Sequence, residues 1–160
     1  MLFKRKKIKL EKVEITKNKM RELFKNNVDN YEEYNLVYAY DRDFNTEIND
    51  YIYRSLILGY NEDSMNLIII ETDKDIDSVY NIIKLSKKDF TKAIYNKNLD
   101  EYIIYLNNKK NDKIEFSLIN ENYIDVDILA FIEQEREVED FKDFFSEFKR
   151  KPRLRKKVKN

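Results

Sequence analysis

The side chains able to do chemistry in this 160-residue chain are carboxylates, because 31 Asp and Glu stand beside no histidine and no cysteine. Two carboxylates facing each other across a cleft can cleave a glycosidic bond, and three in one loop can hold calcium. Asp41 with Asp43 and Asp125 with Asp127 are the close pairs, and Asp73, Asp75 and Asp77 alternate as a calcium loop begins. The sixth position of that loop is Ser78 where glycine is needed, and the twelfth is Lys84 where a bidentate Glu is needed. Asp73–Asp77 therefore reads as a hairpin turn. Among so many acids close pairs arise by chance, and no polar cluster assembles around them. Missing His removes the commonest general base and transition-metal ligand. Missing Cys removes thiolate nucleophiles, disulfides and thiolate metal sites, and a single Gly removes the glycine-rich phosphate loops. The sequence predicts no catalytic residue, no cofactor and no metal, with hydrolysis by carboxylates alone as the remaining enzymatic alternative.

Binding chemistry is better represented. Twelve tyrosines can stack nucleic-acid bases where cations interleave with them, but no such interleaving is present, so they read as strand packing residues. Lys, Asn, Ile and Tyr together supply 72 residues, and their codons are AT-rich, so the position of a lysine says more than the lysine count. Residues 1–12 carry six cations against one acid, a net of +5, and residues 149–160 carry eight cations and no acid. The intervening 13–148 holds 17 basic and 30 acidic residues, a net of −13. A formally neutral chain is thus an acidic body with two cationic ends. Lys4, Arg5, Lys6 and Lys7 at one end, and Lys149, Arg150, Lys151, Arg153, Arg155, Lys156, Lys157 and Lys159 at the other, are the candidate contacts to an anionic surface. Each cation near an anionic bilayer contributes about 1 kcal/mol, and Met1, Leu2 and Phe3 add a small apolar anchor. The same charges also suit the phosphates of nucleic acid or ribosome, or the acidic body of this chain or a neighbouring copy.

The elements that would carry these charges follow from hydrophobic period. Ile8, Leu10, Val13 and Ile15 form a broken alternation, a short strand or a loosely packed segment, and Thr16 reads as a helix N-cap. Met20, Leu23, Phe24 and Val28 predict a helix over about 17–28. The period then becomes two: strands are expected at 34–40, 51–60, 65–71, 78–85, 90–95, 102–106, 113–119 and 128–132, with 41–50 as a polar loop. Asn and Asp must supply the left-handed turn positions. From Glu135 the period returns to 3.6, with Val138, Phe141, Phe145 and Phe148 on one stripe and Phe144 beside it, and Pro152 ends the helix. No apolar leader follows Met1-Leu2-Phe3, and the longest wholly apolar run is Leu67–Ile70, so a soluble cytoplasmic protein is expected, held at the inner face of the membrane by its ends.

A seven-strand meander closed by one amphipathic C-terminal helix resembles the pleckstrin-homology-like domains. The segment Ile82–Tyr95, the hairpin Glu101–Leu106 with Lys113–Leu118, and Ile128–Gln134 running into Glu135–Phe148 resemble the phrasing of the family's bacterial branch. The resemblance covers about 34–148. It implies a mainly β (α+β) fold, an antiparallel barrel or sandwich of about seven strands with a C-terminal capping helix, here with an extra N-terminal helix. It also implies binding to lipid headgroups or protein and no catalysis. Lipid-binding members place cations on the first two strands and the loop between, whereas Asp41–Asp50 is acidic with Arg42 alone, so no family site residue carries over. The organisation expected is a basic segment 1–15, a helix 16–30, the barrel with its helix 34–148, and a basic tail 149–160. The function expected is a non-catalytic binding or scaffolding module. Its barrel recruits an unidentified protein, and its polybasic ends attach to an anionic surface, membrane favoured and nucleic acid or ribosome the alternative.

Overall fold

The computed structural model describes residues 2–110, 112–123 and 129–151. Seven strands, β1 (Asn35–Asn45), β2 (Asp50–Asn61), β3 (Asn66–Thr72), β4 (Val79–Leu85), β5 (Phe90–Asn96), β6 (Glu101–Leu106) and β7 (Lys113–Leu118), form one antiparallel sheet in the order β4-β3-β2-β1-β7-β6-β5. The chain meanders from β1 to β4, restarts at the far edge with β5, and returns through β7 to the free side of β1. The result is a mainly β, antiparallel α+β arrangement, consistent with the sandwich expected from the sequence. No rung joins β4 to β5 among the described residues, so the sheet stays open at that seam and the barrel is not closed. A short pair, β8 (Glu121–Asn122) with β9 (Ile132–Glu133), leads into the closing helix α2 (Glu135–Phe148).

Three hairpins turn in one way, and their sequences say why. Asn45, Asn61 and Asn96 each end a strand, and each accepts from the N–H two residues on, at 2.9, 3.0 and 3.1 Å. The residue four after each Asn has positive φ: Asn49 at 52°, Met65 at 54° and Asp100 at 49°. The asparagine carboxamide supplies the turn hydrogen bond that a glycine-poor chain cannot get from backbone freedom. Asn and Asp fill the left-handed position in two of the three, as expected, and Met65 is the exception.

The inner face of the sheet is covered by α2. Val138, Phe141, Phe144, Phe145 and Phe148 are all buried against Val37, Leu58, Ile69, Tyr102, Phe116 and their neighbours. The outer face is covered by an N-terminal helix, α1 (Leu2–Asn27), through Met20, Leu23 and Phe24, which pack on Tyr38, Ile57, Ile68 and Ile70. β2 and β3 are therefore buried on both sides, which is why they read as nearly continuous apolar runs. Gly59 of β2 is where α1 sits closest: a Cβ there would lie 2.3 Å from two carbons of the Phe24 ring.

Four expectations need correction. The segment 1–15 is no strand and no separate element, because α1 runs unbroken from Leu2. Alternating Ile8, Leu10, Val13 and Ile15 only mimic a strand; three of them are exposed and Val13 alone packs. Thr16 is no N-cap but lies inside the helix, where its Oγ1 donates to the Lys12 carbonyl at 3.2 Å. Residues 41–50 are no polar loop but the ends of β1 and β2, paired rung by rung from Asp41–Arg54 to Asn45–Asp50. Phe44 against Tyr51 and Arg42 over the Tyr51 ring supply the cross-strand contacts that keep this outer ribbon together. The last candidate strand, 128–132, shrinks to Ile132–Glu133, and residue 128 lies outside the described residues.

Candidate functional site

At the N-terminal end, Lys4, Arg5, Lys6 and Lys7 occupy four successive positions of α1 and all are exposed. Successive helical residues are about 100° apart, so these four encircle the helix as a collar. Phe3, 89% exposed, stands just ahead of them. No acid occupies the first turn to balance the positive end of the helix dipole. The remaining exposed apolar residues do not make one face: Phe3 and Leu10 share one side, while Ile8 and Ile15 share another. Behind the collar, Lys9 lies over the Tyr123 ring at 5.4 Å and Lys12 over the Phe131 ring at 5.2 Å, which ties this stretch to the body.

The C-terminal cations are placed differently. Lys149 and Arg150 are exposed, with Arg150 3.4 Å from Glu147. The Lys151 ammonium donates to the carbonyls of Lys87 and Phe90 and covers the Phe90 ring, 4.2 Å from its centroid. Lys87 in turn donates to the Glu147 and Arg150 carbonyls, both at 2.9 Å, capping the end of α2. Lys151, although exposed, is thus also tied to the body through Lys87 and Phe90. Arg153, Arg155, Lys156, Lys157 and Lys159 lie outside the described residues. Among the described residues the two basic ends are not brought together. Lys12 sits beside Phe131, just before α2 begins, and Lys151 lies beyond its end, so about 21 Å of helix separates them.

The carboxylate candidates are occupied with structural work. Asp41 and Asp43 both hold Arg54, at 2.7 and 2.6 Å, with Glu71 at 3.8 Å on its other nitrogen. Burial pushes the Asp41 carboxyl up despite that guanidinium. Asp73 accepts the N–H groups of Asp77 and Ser78 at 2.8 and 2.9 Å, which makes the turn. Lys19 of α1 donates to Asp77 and to the Asp75 carbonyl at 3.0 and 3.1 Å, so a protein ammonium stands beside the acidic triplet. Asp125 and Asp127 lie outside the described residues. One pair escaped the sequence reading. Burial, then a hydrogen bond to Glu115, raises the Glu101 carboxyl, while Lys113 at 2.5 Å holds Glu115 low. The hydrogen bond between Glu101 and Glu115 leaves no gap between them for a substrate.

A cleft of about 440 Å³ between α1, the start of β1 and the first turns of α2 is the other site the sequence did not reveal. Its floor is rigid. Gln134 is 2% exposed; its amide donates to the Tyr38 and Ile119 carbonyls, its oxygen accepts the Tyr38 N–H, and all three bonds are 2.8 Å. Phe24 and Tyr34 meet at 5.5 Å, and Tyr60 packs on Phe144 at 5.0 Å. Burial, then the charges of Asp140, Glu62 and Glu137, drives the Tyr60 phenol well above its ordinary range.

No protein-family model, curated protein or solved structure matches the chain. The described helices include none long and apolar enough to cross a membrane. The signals available for these sites lie in spacing alone: Lys17, Arg21 and Lys25 of the cleft recur every fourth residue on α1, but their partners come from β1, β2 and α2.

Proposed function

We propose that this protein is a non-catalytic binding module of the PH-like kind, which meets an anionic membrane surface end-on through the tip of α1. The observation that carries this reading is the collar of Lys4, Arg5, Lys6 and Lys7 behind an exposed Phe3. A helix lying flat on a bilayer needs one apolar face, and α1 has none in its first half. A helix approaching tip first can use cations on every side, because the surface surrounds it. At about 1 kcal/mol per cation the collar supplies about 4 kcal/mol before ordering costs. Phe3 adds a side chain that enters the interface, and the unpaired N–H groups of the helix end add to the attraction for phosphate. The structural duties of Asp41, Asp43, Asp73, Asp77, Glu101 and Glu115 support the non-catalytic part of the reading.

The test is co-sedimentation of the full chain with vesicles of anionic or neutral lipid at low salt, with RNA as competitor. Binding to anionic vesicles alone is expected, reduced about tenfold or more when Lys4, Arg5, Lys6 and Lys7 become Gln, and reduced less by Phe3→Ser. Unchanged sedimentation of the fourfold variant would sink the reading. Binding to RNA in place of anionic vesicles would move the collar to nucleic acid.

A further inference from the structure

The cleft between α1 and α2 has charges sorted by wall. Lys17, Arg21 and Lys25 line it from α1, with Glu22 the one acid on that side. Glu137 and Asp140 line it from the first turns of α2, and Glu32 from the turn that precedes β1. Between them the floor is apolar and aromatic: Phe24, Tyr31, Tyr34, Leu36 and Tyr60. The full lining carries three cations and four acids, so neither a strong anion nor a strong cation is favoured by net charge. The separation of the two signs is the distinguishing feature. A ligand that uses both walls must carry both charges, with an apolar body to lie on the rings.

The site is also built before any ligand arrives. Lys17 and Glu137, 3.1 Å apart, tie the two walls together at one point. Gln134 uses its amide N–H and oxygen three times to fix the floor where β9 hands over to α2. Phe24 packs directly on the Gly59 backbone. A cleft with a rigid floor loses little entropy on filling, and 440 Å³ lies within the range of small-ligand sites. Among the described residues Asp140 has no ion pair and Lys25 meets only the Tyr31 ring, at 5.8 Å, while Arg21 reaches the cleft from a surface pairing with Glu14 at 3.2 Å and Asn18 at 2.7 Å that a ligand carboxylate would have to displace.

We infer that this cleft binds a short peptide with free termini and apolar side chains, its carboxylate toward Arg21 and Lys25, its ammonium toward Asp140 and Glu32. An extended dipeptide holds its two charges about 7 Å apart, and its side chains fall on Tyr31, Tyr34 and Tyr60. The inference is independent of the membrane reading, because it uses no residue of the α1 tip.

The experiment titrates the full-length protein with the dipeptide Leu-Phe by calorimetry and by amide chemical-shift mapping. N-acetyl-Leu-Phe, Leu-Phe-amide and Gly-Gly serve as probes lacking the ammonium, the carboxylate and the apolar body. Saturable binding is expected, with shifts at Tyr31, Tyr34 and Gln134, and each of the other three probes about tenfold weaker or worse. Arg21→Glu and Asp140→Lys should each weaken Leu-Phe about tenfold, while Arg21→Lys and Asp140→Glu, with the same far-ultraviolet spectrum, keep it within about threefold. No saturation at about 10 mM Leu-Phe overturns the inference, as do equal affinity for the capped probes or shifts confined to other parts of the molecule.

Discussion

On the inner face of the sheet α2 presents five buried side chains on one stripe, four of them phenylalanine, and its acids all point to solvent or to α1. On the outer face α1 presents Val13, Met20, Leu23 and Phe24 over little more than three turns, then leaves the body with its first turns bare. Both helices close a core, yet only the inner one is wholly committed to it. α2 exists because of packing, and every turn of it is anchored. α1 is held from Lys9 onward, and its first two turns extend beyond those contacts with Lys4, Arg5, Lys6 and Lys7 exposed.

Emptying the inner face is expected to do the most damage. Phe141 is 0% exposed and stands within 5.9 Å of the Tyr60, Tyr102 and Phe116 ring centroids, so Phe141→Ala should cost about 4 kcal/mol in denaturant unfolding. A loss below about 1 kcal/mol would mean that α2 is not the keystone drawn above. The outer face is tested at Gly59. Gly59→Ala drives a methyl into Phe24, and a loss of about 1–3 kcal/mol is expected, because the ring must move with the helix behind it. Combining it with Phe24→Ala should recover part of that loss relative to additivity, and simple addition of the two would show that the contact is not what limits the site.

The smallest effect is a gain. Tyr102 is 1% exposed inside a ring cluster, and its hydroxyl has no hydrogen-bond partner among the described residues. Tyr102→Phe should therefore raise stability by about 1 kcal/mol, or the melting temperature by about 2–4 °C. The pH dependence has a definite sign. Burial raises the folded phenol above its ordinary value, so its contribution is complete below about pH 10 and is lost as the pH climbs further. The advantage of Tyr102→Phe should widen above about pH 10, and a gap that stays constant there would place the hydroxyl in contact with water.

The strands and α2 were legible because their residues obey one period at a time. Alternation marks β4, β6 and β7, and Phe141, Phe145 and Phe148 mark one helical stripe. The opening turns of α1 were not legible, because, among the described residues, a stretch with Val13 as its one buried apolar residue has no apolar face to record in its sequence. Their helicity continues from the packed turns that follow. The outer ribbon was misread for the opposite reason: Asp41, Asp43 and Asp50 look like turn residues, and only the pairing of Arg54 with the first two makes them strand residues. The basic tip was visible as composition, and its collar geometry became visible once the segment was known to be helical. The cleft could not be read at all, since Arg21, Tyr34, Tyr60 and Asp140 are distant in sequence and share no pattern.

The way β7 returns to β1 also bears on how the molecule comes into being. Ala39 and Tyr40 find their second strand partners in Leu118 and Ser117, and α1 shares its outer core with Ala130 and Ile132. During synthesis the first helix emerges early, but part of its seat emerges more than a hundred residues later. Until then Tyr38, Ile57, Ile68 and Ile70 lack that part of their cover, in a chain whose closing contacts are among its least local. The lysines crowded into the opening turns of α1 are made before that face is finished, and like charges on neighbouring nascent copies repel one another.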